Sequence, residues 1–198
     1  ARLIGPESFG FIGMLMIFML LAESVISGGF MQALVQKSKD LTEEDSSTIF
    51  YVNMFWGLSM YVVLYISAPY IAELYRQPAL EEISRILFLV VIINSLSIVA
   101  RAKLTISIDF KSQTIASTVA TFFGSILAIW LAFKGYGYWA LVWLILSKVL
   151  LNTITLWFFC RWFPSLVFSK YSLKSLFKFG SNLMIAGFVA TFVDNLYV

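Results

Sequence analysis

Between Ile49 and Ile71 the chain carries no Asp, Glu, Lys or Arg, and most of its side chains are apolar. A helix needs about 20 such residues to cross the hydrocarbon of a bilayer. The pattern recurs along the sequence. Thr114 to Phe133 is also uncharged. Phe9 to Val35 is interrupted only by Glu23, Ile83 to Ala100 only by Arg85, and Tyr138 to Cys160 only by Lys148. A sixth run starts at Phe179 and continues to the end, with Asp194 near its close. Membrane strands alternate apolar and polar residues over about 10 positions. These runs are continuous and far longer, so the pattern predicts an all-α fold, a polytopic transmembrane helix bundle.

Composition agrees. Charged residues make up 13% of the chain and apolar ones 60%, and the mean hydropathy is +0.87. A soluble domain is about a quarter charged. Lipid as solvent removes the need to hide so much apolar surface. There is no histidine, and Cys160 is the only cysteine. No disulfide can form within the chain, and the usual zinc and haem ligand sets are missing. Cys160 reads as a small apolar side chain. We expect no metal and no cofactor. The net charge of +3 comes without a dense basic stripe, which argues against nucleic acid. No histidine base, activated nucleophile or phosphate loop appears, so the chain does not read as an enzyme.

The connections carry their own signals. Thr42 and Asp45 have the spacing of a capping box, and Pro78 is placed to open a helix. Lys134 to Tyr138 (KGYGY) predicts a tight turn, and Arg101 to Ser112 reads as a loop. The longest connection, Arg161 to Lys178, ends in apolar Leu173, Leu176 and Phe177 beside basic Lys174 and Lys178. That end has the character of a segment lying along the membrane surface.

Six spans place Lys37, Lys39, Arg101, Lys103, Lys111, Arg161, Lys170, Lys174 and Lys178 on one side, and Arg2, Arg76, Arg85 and Lys134 on the other. The richer side should be cytoplasmic. Ala1 then lies outside, which implies a preceding helix. With no initial methionine and an apolar end at Val198, both termini read as cuts. Tyr136, Tyr138 and Trp139 at one end of the fifth run, and Trp157 and Trp162 at the other, suit the two headgroup levels.

Polar groups within spans need a reason. Glu23, with Ser27 one turn on and Gly28 and Gly29 beyond, reads as a cavity-lining carboxylate or as a structural hydrogen-bonding group. Lys148 lies too deep to snorkel easily. Followed by Asn152 and Thr155, it should face water, an acid or an anionic substrate. Asn53 with Gly57, and Asn94 with Ser95 and Ser97, form small polar faces that most simply serve as packing seams. Glu43, Glu44, Glu81 and Glu82 read as solvated.

The stretch Arg2-Leu3-Ile4-Gly5-Pro6-Glu7-Ser8-Phe9-Gly10 resembles the R-L-x-G-P-x-x-F-G signature of bacterial polysaccharide exporters. Further matches follow in order: Gly29-Phe30 with Ala33-Leu34, Thr42 to Phe50, Ala68-Pro69 with Ile71-Ala72 and Tyr75, Asp109-Phe110-Lys111, Gly135 to Val142, and Phe179-Gly180. Together they resemble the Wzx/WzxC-like polysaccharide flippases of the MOP superfamily, which also holds the MATE multidrug exporters. The resemblance implies a fragment of a two-lobe transporter. Residues 1–160 would be the N-terminal lobe without its first helix (helices 2 to 6). Residues 161–178 would be a cytoplasmic inter-lobe linker with an amphipathic segment, and 179–198 the start of helix 7 in the C-terminal lobe.

It also implies a multi-pass protein of the bacterial inner membrane, surrounded by membrane lipids and working beside the polysaccharide polymerase machinery of the envelope. The substrate would be an undecaprenyl-pyrophosphate-linked oligosaccharide, flipped by alternating access. Lys148, and Arg101 at the cytoplasmic mouth, would then attract the pyrophosphate, with Asn152 and Asn53 as further cavity candidates. Glu23 would couple to an ion or proton gradient. Many relatives carry an acid just before the Gly-Phe, where this chain has Ser27-Gly28-Gly29. The alternative of the same fold is an ion-coupled, MATE-like multidrug exporter. An envelope-synthesis enzyme would carry large outer loops or an intramembrane histidine, and a passive scaffold would not bury Lys148.

Overall fold

The computed structural model describes residues 5–27, 29–174, 176, 177 and 180, the side chains of Pro6 and Ser27 excepted. Most of them lie in seven α-helices, α1 (Pro6–Ser27), α2 (Phe30–Gln36), α3 (Glu43–Leu74), α4 (Ala79–Leu87), α5 (Leu89–Ile106), α6 (Phe110–Phe133) and α7 (Trp139–Cys160), followed by an irregular strap over 161–169 that returns to helical turns at 170–174. No strand occurs among the described residues. The all-α membrane bundle is therefore borne out, with five spans of sufficient length and apolarity among the described residues. The sixth run, Phe179 onward, with Asp194 and Asn195, lies outside the described residues apart from Gly180.

Boundaries differ from the sequence reading in three places, each for a physical reason. The first run is two helices, because Gly29 turns the chain at φ 74°, a conformation glycine adopts without Cβ strain. The third run breaks at Phe88, where the Val91 amide bonds the Phe88 carbonyl in a tighter turn. Helix α5 also continues through Ile106, so Arg101 stands on a helix rather than in a loop.

Helix ends are closed by their own chemistry. The Thr42 hydroxyl accepts from the Asp45 amide while the Asp45 carboxylate accepts from the Thr42 amide, each at 3.1 Å. This is the expected capping box. Pro78 stands immediately before α4. The Asp109 carboxylate accepts from the Ser112 amide at 3.0 Å and its hydroxyl at 2.6 Å. Helices α3, α5 and α6 end in paired reverse bonds: Gln77 to Ala72 with Arg76 to Glu73, Asp109 to Leu104 with Ile108 to Thr105, and Tyr136 to Leu131 with Gly135 to Ala132. In such Schellman ends the turning residue is left-handed, usually glycine. Here it is Arg76 (φ 54°), Ile108 (φ 57°) and Gly135 (φ 82°).

Packing runs through small residues. Ala116, Ala120, Gly124 and Ala128 recur every fourth position on α6 and are buried. A Cβ on Gly124 would stand 3.3 Å from Ser147 Oγ of α7. Gly57 of α3 meets Ser95 of α5 even more closely, at 2.6 Å from an added Cβ to Ser95 Cβ. Lipid provides no hydrophobic drive for helix association, so close approach and dispersion do the work. Large side chains such as Phe55, Ile66, Phe122, Ile129 and Phe158 are exposed on the outside of the bundle, as lipid contact requires. Two bonds tie α7 to α5, Trp157 Nε1 to the Leu96 carbonyl (3.0 Å) and Thr153 Oγ1 to that of Ile93 (3.5 Å).

One end of the bundle gathers the basic connections. Lys37 pairs with Asp45 (3.0 Å) and Lys103 with Glu43 (2.9 Å), and Lys103 also lies 4.7 Å over the Trp162 ring. Asp45, Ser46, Ser47 and Thr48 are buried there, beneath the strap that follows α7. Ser47 Oγ contacts Ser165 Oγ at 2.9 Å, and Thr48 Oγ1 accepts from the Ser169 amide at 3.0 Å. Helix α3, at about 48 Å for its 32 residues, exceeds the hydrocarbon thickness of about 30 Å. Its polar first turns therefore extend into this end.

Two stability predictions follow from these contacts. Gly57→Ala should destabilise the purified protein by about 1 to 3 kcal/mol, the usual range for overpacking, and Ser95→Gly in the same chain should recover most of the lost thermal stability. Ile108→Gly should raise stability by about 1 kcal/mol, because it relieves a left-handed β-branched residue, with an unchanged melting profile as the contrary result.

Candidate functional site

A polar cleft of about 620 Å³ opens between α1, α5, α6 and α7. Helix α5 contributes Asn94, Ser97, Ile98 and Arg101. Their spacing of three, four and seven residues is that of one helical face. Helix α1 presents Leu20, Glu23 and Ser24, α7 presents Lys148, Val149 and Asn152, and α6 only the small Ser117 and Ala120. The small residues on α6 have a direct effect. They let α7 come close beside Gly124, whose added Cβ would lie 3.4 Å from the Lys148 amide, and they leave open space where a larger side chain would fill the cleft.

Glu23 is half-buried and accepts a hydrogen bond from Asn94 Nδ2. Arg101, two turns beyond Asn94 on the same face, lines the same cleft as Glu23. Lys148 stands on the opposite wall, exposed to the cleft. Neither Arg101 nor Lys148 has an ion-pair or hydrogen-bond partner among the described residues. The ion pairs there are Lys37–Asp45, Arg85–Glu81 and Lys103–Glu43, all away from the cleft. Position on α5 separates the two neighbouring cations. Residues two apart do not share a helix face, so Lys103 reaches the basic end while Arg101 turns into the cleft. The cleft residues thus carry two cations and one carboxylate, and they offer amide and hydroxyl groups for polar contacts.

Of the candidates read from the sequence, Glu23, Arg101, Lys148 and Asn152 meet in this cleft. Asn53 does not line it. It is fully buried on α3, one turn before Gly57, and neither amide atom has a hydrogen-bond partner among the described residues. The Ser27 side chain and Gly28 lie outside the described residues. The small polar group on α5 divides: Ser95 forms the seam with Gly57, whereas Asn94 and Ser97 line the cleft. Ser117 and Ser24 were not singled out in the sequence. The signal for Ser117 was its register with Ala120 and Gly124, and for Ser24 its place beside Glu23. The acids Glu43 and Glu81 are paired with cations rather than merely solvated.

Hydration of the cleft is directly measurable. With Cys160 replaced by serine, Lys148→Cys and Asn152→Cys, both on accessible cleft positions, should react readily with a membrane-impermeant maleimide in purified protein. Phe122→Cys, on the lipid-facing side, should react at least about tenfold more slowly, as expected where water is excluded. Equal rates at all three positions would mean that no hydrated cleft exists.

Comparison with known proteins fits this architecture. The chain is 26% identical over 192 residues to the succinoglycan biosynthesis transport protein ExoT of Rhizobium meliloti, covering 96% of this chain and 39% of that protein. It is 30% identical over 168 residues to the teichuronic acid biosynthesis protein TuaB of Bacillus subtilis, covering 81% of this chain and 33% of that protein. The chain thus spans between a third and two-fifths of the length of these relatives. No solved structure matches it significantly. The polysaccharide biosynthesis protein family model matches residues 1–198, in agreement with the flippase resemblance carried by the sequence motifs, and the chain belongs to that family.

Proposed function

We propose that the chain is part of an exporter that moves an undecaprenyl-pyrophosphate-linked oligosaccharide repeat unit across the bacterial inner membrane by alternating access. The product would be a surface polysaccharide such as O-antigen, capsule or exopolysaccharide. Residues 1–160 belong to the N-terminal lobe, 161–178 to the cytoplasmic linker and 179–198 to the start of the second lobe. The basic end of the bundle faces the cytoplasm, in keeping with the distribution of lysine and arginine.

The observation that carries this reading is the pair of cations, Arg101 and Lys148, facing one cleft between membrane-spanning helices that holds, among the described residues, a single carboxylate, Glu23. Lys148 lies deep in its span, where a charge without a counter-charge is costly, and a pyrophosphate supplies one. Arginine offers it a planar fork of donors, and lysine a point charge. Asn152 adds a neutral donor of the kind that sugar and phosphate oxygens accept. Glu23, held by Asn94 near Arg101, supplies the competing negative charge. When substrate arrives, Arg101 exchanges the field of Glu23 for that of the phosphates; when substrate leaves, Glu23 recovers it. Rocking of the two lobes about this site would carry the headgroup across. The name of the Rhizobium meliloti relative, a transport protein of succinoglycan biosynthesis, supports transport over catalysis. An excess of positive charge in the cleft favours an anionic cargo over the cationic drugs of a multidrug exporter.

In cells, the full-length protein carrying Lys148→Gln or Arg101→Gln should lose export of surface polysaccharide and accumulate lipid-linked glycan. Each change should weaken substrate affinity roughly tenfold or more, the range for losing a charged hydrogen bond. Wild-type export in the double variant would exclude the cleft as the substrate site. Drug sensitivity without a glycan defect would favour the multidrug reading, and a tag at Lys174 reachable from outside the cell would overturn the orientation.

A further inference from the structure

A second concavity, of about 550 Å³, lies between α3 and the strap that follows α7. It is separate from the polar cleft and opposite to it in character. Phe55 and Trp56 of α3 form one wall, and Phe168 and Phe177 contribute to the other. Among the described residues the only charged side chains lining it are Lys170 and Lys174, and the other described lining residues are aromatic or aliphatic. These two lysines are four residues apart on helical turns over 170–174, and so share a face. Both are exposed, and neither has an ion-pair or hydrogen-bond partner among the described residues. The other lysines at this end that touch the bundle have partners: Lys37 is held by Asp45, and Lys103 by Glu43.

We propose that this groove is a binding site for an anionic phospholipid. Its two parts match the two parts of such a molecule. The lysine pair offers a phosphate two cations at the bundle end where the connections are basic. The aromatic walls continue from there into the apolar length of α3, where an acyl chain would lie. Basic pockets between membrane helices recognise acidic lipid headgroups in this way, and tryptophan and tyrosine favour the same level. The groove is also built into the fold. The strap is anchored to α3 by Ser165 and Ser47 and by the Ser169 amide and Thr48. Leu176 is only 2% exposed, packed with Phe30, Ile49 and Phe50. The wall carrying both lysines is thus held before any lipid arrives, which lowers the ordering cost of binding. A bound lipid would bridge the strap to the bundle. The proposal does not depend on the transport reading.

The full-length protein reconstituted in vesicles tests this through Trp56. Phosphatidylglycerol and phosphatidylcholine with brominated acyl chains, used at equal mole fraction, should quench the Trp56 contribution differently, that contribution being the difference between wild type and Trp56→Phe. Phosphatidylglycerol should be preferred. Lys170→Gln with Lys174→Gln should lower the preference by about fivefold for each lysine, the usual contribution of one basic residue near an anionic surface. The corresponding arginine variants should keep it. Equal quenching by both lipids in the wild type, or an unchanged preference in the double glutamine variant, would overturn the proposal. No quenching by either would also overturn it, by showing that protein covers the groove. Export measured in the same variants separates this result from the transport reading.

Discussion

Hydrocarbon offers no partner to a peptide N–H or C=O, and that constraint governs the rest of the molecule. Each spanning segment must close its hydrogen bonds internally, so each apolar run becomes a helix. The amides and carbonyls left over at helix ends are then met by the local devices seen here: the Thr42–Asp45 box, the Asp109 cap and the three reversed ends at Arg76, Ile108 and Gly135. Two of those reversals use residues other than glycine. The chain accepts a strained Ile108 to turn α5 directly into α6.

Once the backbone is satisfied, association depends on how closely helices approach. The alanine and glycine stripe on α6 brings it against α7, and Gly57 admits Ser95 between α3 and α5. Both contacts affect the cleft. A close α6–α7 pair places Lys148 beside Gly124, and the same α6 residues are too small to fill the space in front of it. Helix α5 serves two neighbours from adjacent faces. Ser95 packs against α3, while Asn94, Ser97 and Arg101 turn toward α1 and α7. Structural and candidate functional polar groups are therefore interleaved in sequence and separated only by helical phase.

Charge is distributed by the same logic. At the basic end, Lys37 and Lys103 neutralise acids that also cap or anchor α3, and the strap after α7 docks on buried hydroxyls of Ser47 and Thr48. In the cleft, Arg101 and Lys148 form no ion pair among the described residues. On α5 the paired Lys103 and the cleft-lining Arg101 are only two residues apart, so helix face rather than level separates them.

Much of this was legible in the residues alone. Continuous apolar runs dictate spanning helices, because their length matches the hydrocarbon and no other backbone state is satisfied there. The Thr42–Asp45 spacing announces its cap, and the KGYGY turn its glycine at Gly135. Glu23 and Lys148 announce themselves as charges at a costly depth. Other features needed the tertiary structure. The break at Phe88 has no proline or glycine to mark it, and Arg101 looked like a loop residue because charge masks the continuation of a helix. That Asn94 lines a cleft while Ser95 fills a seam, and that Asn53 lies buried away from both, depends on which neighbour each helix face meets. A sequence determines the face a residue occupies through the helical repeat, but only the packed bundle determines what lies across from it.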